Sequence, residues 1–312
     1  MGAYRSYGTV EVGSGPRGVA VDPGLHRAYV VGQNPAIPSA PVTVSVLDTR
    51  TRSTAATITV DNVFVRETQP LVVDPATHLV YLLGAGPHGK LIVIDPATDS
   101  VTARIFLGEH TDSSALAIDS DRHLAYVANN YYATVVAIDT DSRDIVAVIP
   151  VGAHPAALAI DPASHQVWAA TAGSLSIIDP DAFKVSATIP ATAEPHGVAI
   201  DSETHTAYIT DFAPGTSVML IDTATHAATH ISLQPEPSYA VAIDPALHTV
   251  YLTSGAFESI NMIDTRTRTL TASRTSGHSA GWTGGIAVDP TTHETYVTHG
   301  ETAHTVEVLT PA

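Results

Sequence analysis

A chain of 312 residues, 44% of them hydrophobic, can bury a large core, and its formal net charge of −17 comes from 14 Lys plus Arg against 31 Asp plus Glu. So acidic a surface, with no basic run, repels phosphate backbones and excludes nucleic acid as an expected partner. No cysteine is present, which excludes disulfides, thiolate nucleophiles and cysteine-based metal sites.

From the N-terminus, the start MGAYRSYGTV lacks the apolar run of a signal peptide. This leaves a cytosolic protein or one whose leader has been removed. Met1, Gly2 and Ser6 match the myristoylation pattern formally, a match that chance supplies often. No stretch approaches the roughly 18 apolar residues of a membrane helix, so no membrane partner is expected. Tyr7-Gly8-Thr9-Val10-Glu11-Val12 then reads as a strand.

From there one pattern recurs to the end: a small-apolar run closing on Asp, a turn, a His, then an aromatic run. The copies are VAVDPGLHRAYV, LVVDPATHLVYL, LAIDSDRHLAYV, LAIDPASHQVWA, VAIDSETHTAYI, VAIDPALHTVYL and IAVDPTTHETYV. Their aspartates are Asp22, Asp74, Asp119, Asp161, Asp201, Asp244 and Asp289, whose numbers differ successively by 52, 45, 42, 40, 43 and 45. Behind them come VLDTRT, VIDPAT, AIDTDS, IIDPDA, LIDTAT and MIDTRT, with Thr310 replacing the Asp in the last unit. Alternating Val, Ile, Ala and Tyr favour strands, and the Asp-Pro and Asp-Thr clusters mark turns. No segment keeps a 3.6-residue apolar period, so almost no helix is predicted.

Four strands per unit at this period predict an all-β fold. Residues 1–312 are predicted to form one seven-bladed β-propeller of four-stranded antiparallel blades. Within each blade the strands are named A to D from the centre outward. The chain ends after the third strand of unit seven, and 7–12 resembles the fourth strands. It is therefore predicted to complete the last blade and close the ring. The repeats resemble the YVTN (YncE-like) family, with YVAN at Tyr126–Asn129 as the nearest copy of its motif. That resemblance covers nearly the whole chain and implies the fold; it implies little about function, because propellers carry many activities.

Repetition separates scaffold from site. His26, His78, His123, His165, His205, His248 and His293 share one repeat position and are assigned to turn hydrogen bonding. Tyr29, Tyr81, Tyr126, Trp168, Tyr208, Tyr251 and Tyr296 are repeated packing residues. Function is expected where the repeats differ, on the face carrying the D–A and B–C connections around the channel mouth. Five residues before each strand-A Asp stand Arg17, Gln69, Ser114, Ala156, His196, Tyr239 and Gly284. Seven before stand Gly15, Glu67, Asp112, His154, Glu194, Pro237 and Trp282. Strand alternation points both rows toward the mouth. The B–C loops add His88, Tyr131, Tyr132, Asp211, Phe212, Phe257, Glu258, His299, Glu301 and His304, and the long proline-rich loop GQNPAIPSAP of unit one is a candidate lid.

The expected catalytic set is His154, Glu194 and His196, because a carboxylate beside an imidazole can orient a general base and raise its pKa. The expected ligand-binding set is Arg17, Gln69, Asp112, Tyr131, Tyr239, Trp282 and His299. Imidazoles, carboxylates and aromatics together suit a polar small molecule with an apolar part. No cofactor is expected. His110, Asp112, His154, Glu194 and His196 are the alternative set for a divalent metal, without any short ligand-spacing motif. Gly84-Ala85-Gly86-Pro87-His88-Gly89-Lys90 imitates a P-loop, but Leu91 replaces the Mg²⁺-binding hydroxyl and no helix follows. No GxSxG motif or glycosylation sequon occurs. A monomer is expected. A distant architectural resemblance to streptogramin lyase-type propellers implies acid–base lyase, cyclase or isomerase-type chemistry at a mouth histidine, with metal assistance; no residue motif here matches theirs. A non-catalytic protein-interaction scaffold is the alternative.

Overall fold

The computed structural model describes residues 4–311 apart from 35, 38–39, 66–69, 86–87, 110, 193, 212–216, 234–237, 255–258, 276–282 and 301–303. The described residues form seven four-stranded antiparallel sheets and no helix. Blade 1 runs Pro16–Asp22, Arg27–Gly32, Val42–Asp48 and Ser53–Val60, and blades 2 to 6 repeat that order outward from the centre. Each innermost strand packs against the next, and the strand of blade 7 (Thr283–Val288) packs against that of blade 1. The ring is thus a seven-bladed propeller, as the repeat count predicts.

Closure is also as predicted, with a longer strand. Tyr4–Glu11 pairs antiparallel with Thr305–Pro311, from Tyr4 opposite Pro311 to Glu11 opposite Thr305, with a register shift between Ser6 and Gly8. The first strand of the chain is therefore the outermost strand of the last blade. Val12 lies just past it, donating its N–H to the His304 carbonyl at 2.9 Å.

The core consists of wedges between blades. Seven clusters of buried side chains are found among the described residues, one at each blade–blade interface. They include one that joins Tyr296, Val306 and Val308 of blade 7 to Val19, Val30 and Leu47 of blade 1. Each wedge holds one repeated strand-B aromatic, and all seven aromatics are buried. Strand B is covered by a neighbour on both faces, so it reads as apolar throughout instead of alternating.

Backbone geometry explains the repeated histidines. All seven adopt the left-handed region, with φ between 50° and 64°. Each is the fourth residue after the Asp that ends strand A, and that Asp binds the turn's backbone, as Asp22 Oδ1 accepts from Leu25 N at 3.1 Å. The C–D turns repeat this geometry, with Arg52, Asp99, Arg143, Phe183, His226 and Arg268 at positive φ four residues after their aspartates. His tolerates this conformation better than most side chains. Three rings add a bond between blades: His78 Nδ1 to Asp22 at 3.0 Å, His165 to Asp119 at 3.1 Å and His293 to Asp244 at 2.8 Å. Where Ser follows the Asp in place of Pro, a hydroxyl reaches the same target, as Ser202 Oγ reaches Asp161 at 3.3 Å. Replacing His165 by Ala is expected to cost about 1 kcal/mol of stability through the lost bond. Chemical denaturation of the variant checks this.

Candidate functional site

The D–A and B–C connections place the unrepeated residues around one mouth. Ser114, Ala156, His196 and Tyr239 occupy one repeat position in blades 3 to 6, and together they line a cavity of about 40 Å³ at the inner strands. That space suits a water molecule or two, with the wider mouth above it. Ser114 Oγ donates to the Pro155 carbonyl of the next blade. Thr210 Oγ1 likewise donates to Tyr239 O at 2.9 Å, and Thr298 Oγ1 to Arg17 O at 3.0 Å. The rim is thereby stitched from blade to blade. Gly197, beside His196, has no room for a side chain: a Cβ there would lie 2.9 Å from the Tyr239 carbonyl.

His196 is half-buried, its ring 4.8 Å from that of Tyr239. Burial pushes its pKa below the ordinary imidazole value, against the opposing pull of a backbone hydrogen bond and the Glu194 charge. It is therefore a neutral imidazole at pH 7. Glu194 is exposed at the rim.

His154 is exposed and sits at φ 51°, and its Nδ1 lies 2.9 Å from Asn130 Oδ1. Asn130 Nδ2 faces Asp112 Oδ2 at 3.5 Å, and the Asn130 N–H donates to the Asp112 carbonyl at 2.8 Å. A carboxylate can only accept here, so the amide nitrogen belongs on the Asp112 side and the amide oxygen on the His154 side. Nδ1 then carries the proton, and the lone pair of neutral His154 is on Nε2. The preceding residue, Asn129, accepts from Tyr131 N and Tyr132 N at 3.1 and 3.4 Å through its Oδ1. This turn holds the two tyrosines outward, 67% and 52% exposed, with ring centroids 4.9 Å apart and planes at 89°.

Other residues read from the sequence have different places. His299 is 2% exposed, its Nε2 3.3 Å from Glu307 Oε2, and Arg274 of blade 6 binds the same carboxylate at 2.8 Å. It ends strand B of blade 7, which is covered on both faces, so its ring is packed between blades instead of open to solvent. Burial pushes the Glu307 carboxyl up. Bonds with His299 and Ser6 and the charges of Arg274 and His299 outweigh that and leave it below the usual carboxylate range. His304 Nδ1 accepts from Gly15 N at 3.3 Å, so it helps tie blade 7 to blade 1. Arg17 is half-buried at the start of blade 1. Gln69, Trp282, His110, Glu67, Pro237, Phe212, Phe257, Glu258 and Glu301 lie outside the described residues. Among the described residues no three His, Asp or Glu side chains are placed to hold a metal ion, so Asp112, His154, Glu194 and His196 do not form one ligand set. No described helix is long and apolar enough to cross a membrane.

The sequence reading missed Asn130, although it named Asp112, His154 and both tyrosines around it. Its signal was an extra amide directly after the YVAN copy, in the short B–C turn between Asn129 and Thr134.

No family model and no curated protein matches the chain. Among solved structures it is similar to the hydrazine synthase of Kuenenia stuttgartiensis, at 18% identity and a TM-score of 0.80, over 96% of this chain and 96% of that one. At that identity the likeness shows the fold.

Proposed function

We propose that this chain is a YVTN-type propeller that binds a polar small molecule with an apolar part at the mouth over blades 3 to 5, as a monomer and without a resident cofactor. The observation that carries the reading is the line Asp112–Asn130–His154, which fixes one imidazole nitrogen as a proton acceptor facing outward beside two exposed rings. A repeated residue serves the blade; an unrepeated, oriented imidazole at a concave mouth has no blade-level task. In the catalytic version, His154 Nε2 takes a proton from the bound molecule. Neutral His196 and the Glu194 carboxylate lie at the neighbouring inner strand to hydrogen-bond it, as lyase or isomerase chemistry requires. The fold's likeness to a hydrazine synthase is compatible with an enzyme and carries no chemistry over.

A second reading has its own observation. The outermost strand of blade 3, Ile145–Pro150, exposes Ile145, Val146 and Val148, an apolar rim suited to a protein partner. One experiment separates the two. A small-molecule library is screened against the protein, and each hit is retested on His154→Ala and Asn130→Ala. The mouth reading expects at least tenfold weaker binding for His154→Ala, about 1.4 kcal/mol, with the melting temperature unchanged. Hits insensitive to both substitutions would overturn it and leave the interaction scaffold.

A further inference from the structure

Among the described residues, the ionised side chains that blades 3 to 5 bring to this part of the mouth are carboxylates, and exposed aromatic rings stand beside them. Between residues 105 and 265 the sequence has three basic residues, Arg122, Arg143 and Lys184. Arg122 lies in the A–B turn of blade 3, where it pairs with Asp181 and Asp119. Arg143 lies in a C–D turn, and Lys184 opens the outermost strand of blade 4 just after the next C–D turn. All three are on the opposite face, so no guanidinium or ammonium of blades 3 to 5 reaches the mouth. On the mouth side stand the carboxylates of Glu109, Asp112 and Glu194, with Glu109 and Glu194 exposed. His154 presents Nε2 as an acceptor, and half-buried His196 is neutral. Tyr131 and Tyr132 are exposed with their rings packed edge to face, and Phe106, at the end of the outermost strand of blade 2, is exposed as well.

Such a surface discriminates by charge. An anion would meet three carboxylates and, from blades 3 to 5, no cation; the nearest ammonium on this side is that of Lys90 in blade 2, opposite Phe106. A neutral polyol would gain nothing from the charge. A cation gains from each carboxylate, from the negative ring faces and from the field of a chain with net charge −17. We propose that the molecule bound at this mouth is an organic cation, an amine or quaternary ammonium bearing an apolar group. Its charged nitrogen lies by Asp112 and over the Tyr131–Tyr132 rings, and a protonated amine can also donate to His154 Nε2. This rests on the mouth reading above and names the ligand class.

Three probes that share one aromatic ring and differ in charge test it by calorimetry: benzyltrimethylammonium, benzyl alcohol and benzenesulfonate. The cation is expected to bind about tenfold more tightly than the alcohol, and the sulfonate more weakly than either. Raising NaCl from about 20 to about 500 mM should weaken the cation several-fold and leave the alcohol unchanged. Asp112→Asn and the pair Tyr131→Ala with Tyr132→Ala should each weaken the cation by about fivefold, at unchanged melting temperature. Equal or tighter binding of the alcohol or the sulfonate overturns the cation class, and so does cation binding indifferent to both sets of substitutions. If the alcohol or the sulfonate binds best and loses affinity in His154→Ala, the cation class fails while the mouth reading stands. If no probe and no library hit depends on His154, both fail.

Discussion

Removing residues 1–12 is expected to lower the melting temperature by roughly 10 °C, an effect of about 3–5 kcal/mol. The deletion takes away the outermost strand of blade 7 and leaves Thr305–Pro311 with an unpaired edge. It uncovers the buried wedge around Val306 and Val308, from which Val10 is lost. Tyr4, whose ring meets Tyr251 of blade 6 edge-on at 5.3 Å, goes with it. The entropy regained by the freed residues offsets part of the lost backbone pairing, so the net loss comes chiefly from side-chain burial. A synthetic peptide of residues 1–12 should restore most of the loss and a scrambled peptide should not. An unchanged melting temperature would show that the ring is held closed by other means.

The second large effect lies on the opposite face, across the same closure. Arg52, in the C–D turn of blade 1, binds Glu294 of blade 7 through Nε at 3.1 Å and through a second nitrogen. Its guanidinium also lies 3.7 Å from the Tyr7 ring centroid. Glu294 is only 5% exposed, and its other oxygen accepts from the Tyr296 hydroxyl at 2.8 Å. Arg52→Ala would strand a buried carboxylate, at a cost of about 3 kcal/mol. With Glu294→Gln it should form a double-mutant cycle with a coupling of about 1.5 kcal/mol or more, measured by denaturant unfolding. Additive losses would mean that the two side chains act separately.

What repeats was legible in the sequence. The blade count, the closing strand and the structural role of His78, His165 and His293 follow from copies that agree with one another. The shared left-handed backbone of the seven turn histidines was not legible, because the sequence suggested ring hydrogen bonds as the common reason, and ring bonds to a neighbouring blade's strand-A Asp join these three. The Arg52–Glu294 pair joins residues 242 apart in sequence, and only ring closure brings them together. Glu294 is the one acidic residue at its repeat position, but Arg52 shares its position with Arg143 and Arg268 and so carried no signal. His299 was read as a B–C loop residue, whereas it is the last residue of strand B in blade 7, which is covered on both faces. Position-matching did bring Ser114, Ala156, His196 and Tyr239 to one cavity. Residues 66–69 and 276–282, which carry Gln69 and Trp282, remain readings of the sequence.

The measurement that bears most directly on the central claim is the long-range ¹H–¹⁵N spectrum of the histidine rings, recorded as a screened ligand is added. It reports all 16 histidines at once. The free protein should show neutral His154 as the Nδ1–H tautomer. On ligand addition the His154 and His196 nitrogens should shift, while His26, His78, His123, His165, His205, His248 and His293 stay in place. Shifts confined to the turn histidines, with His154 and His196 unmoved, would contradict the assignment of function to the mouth.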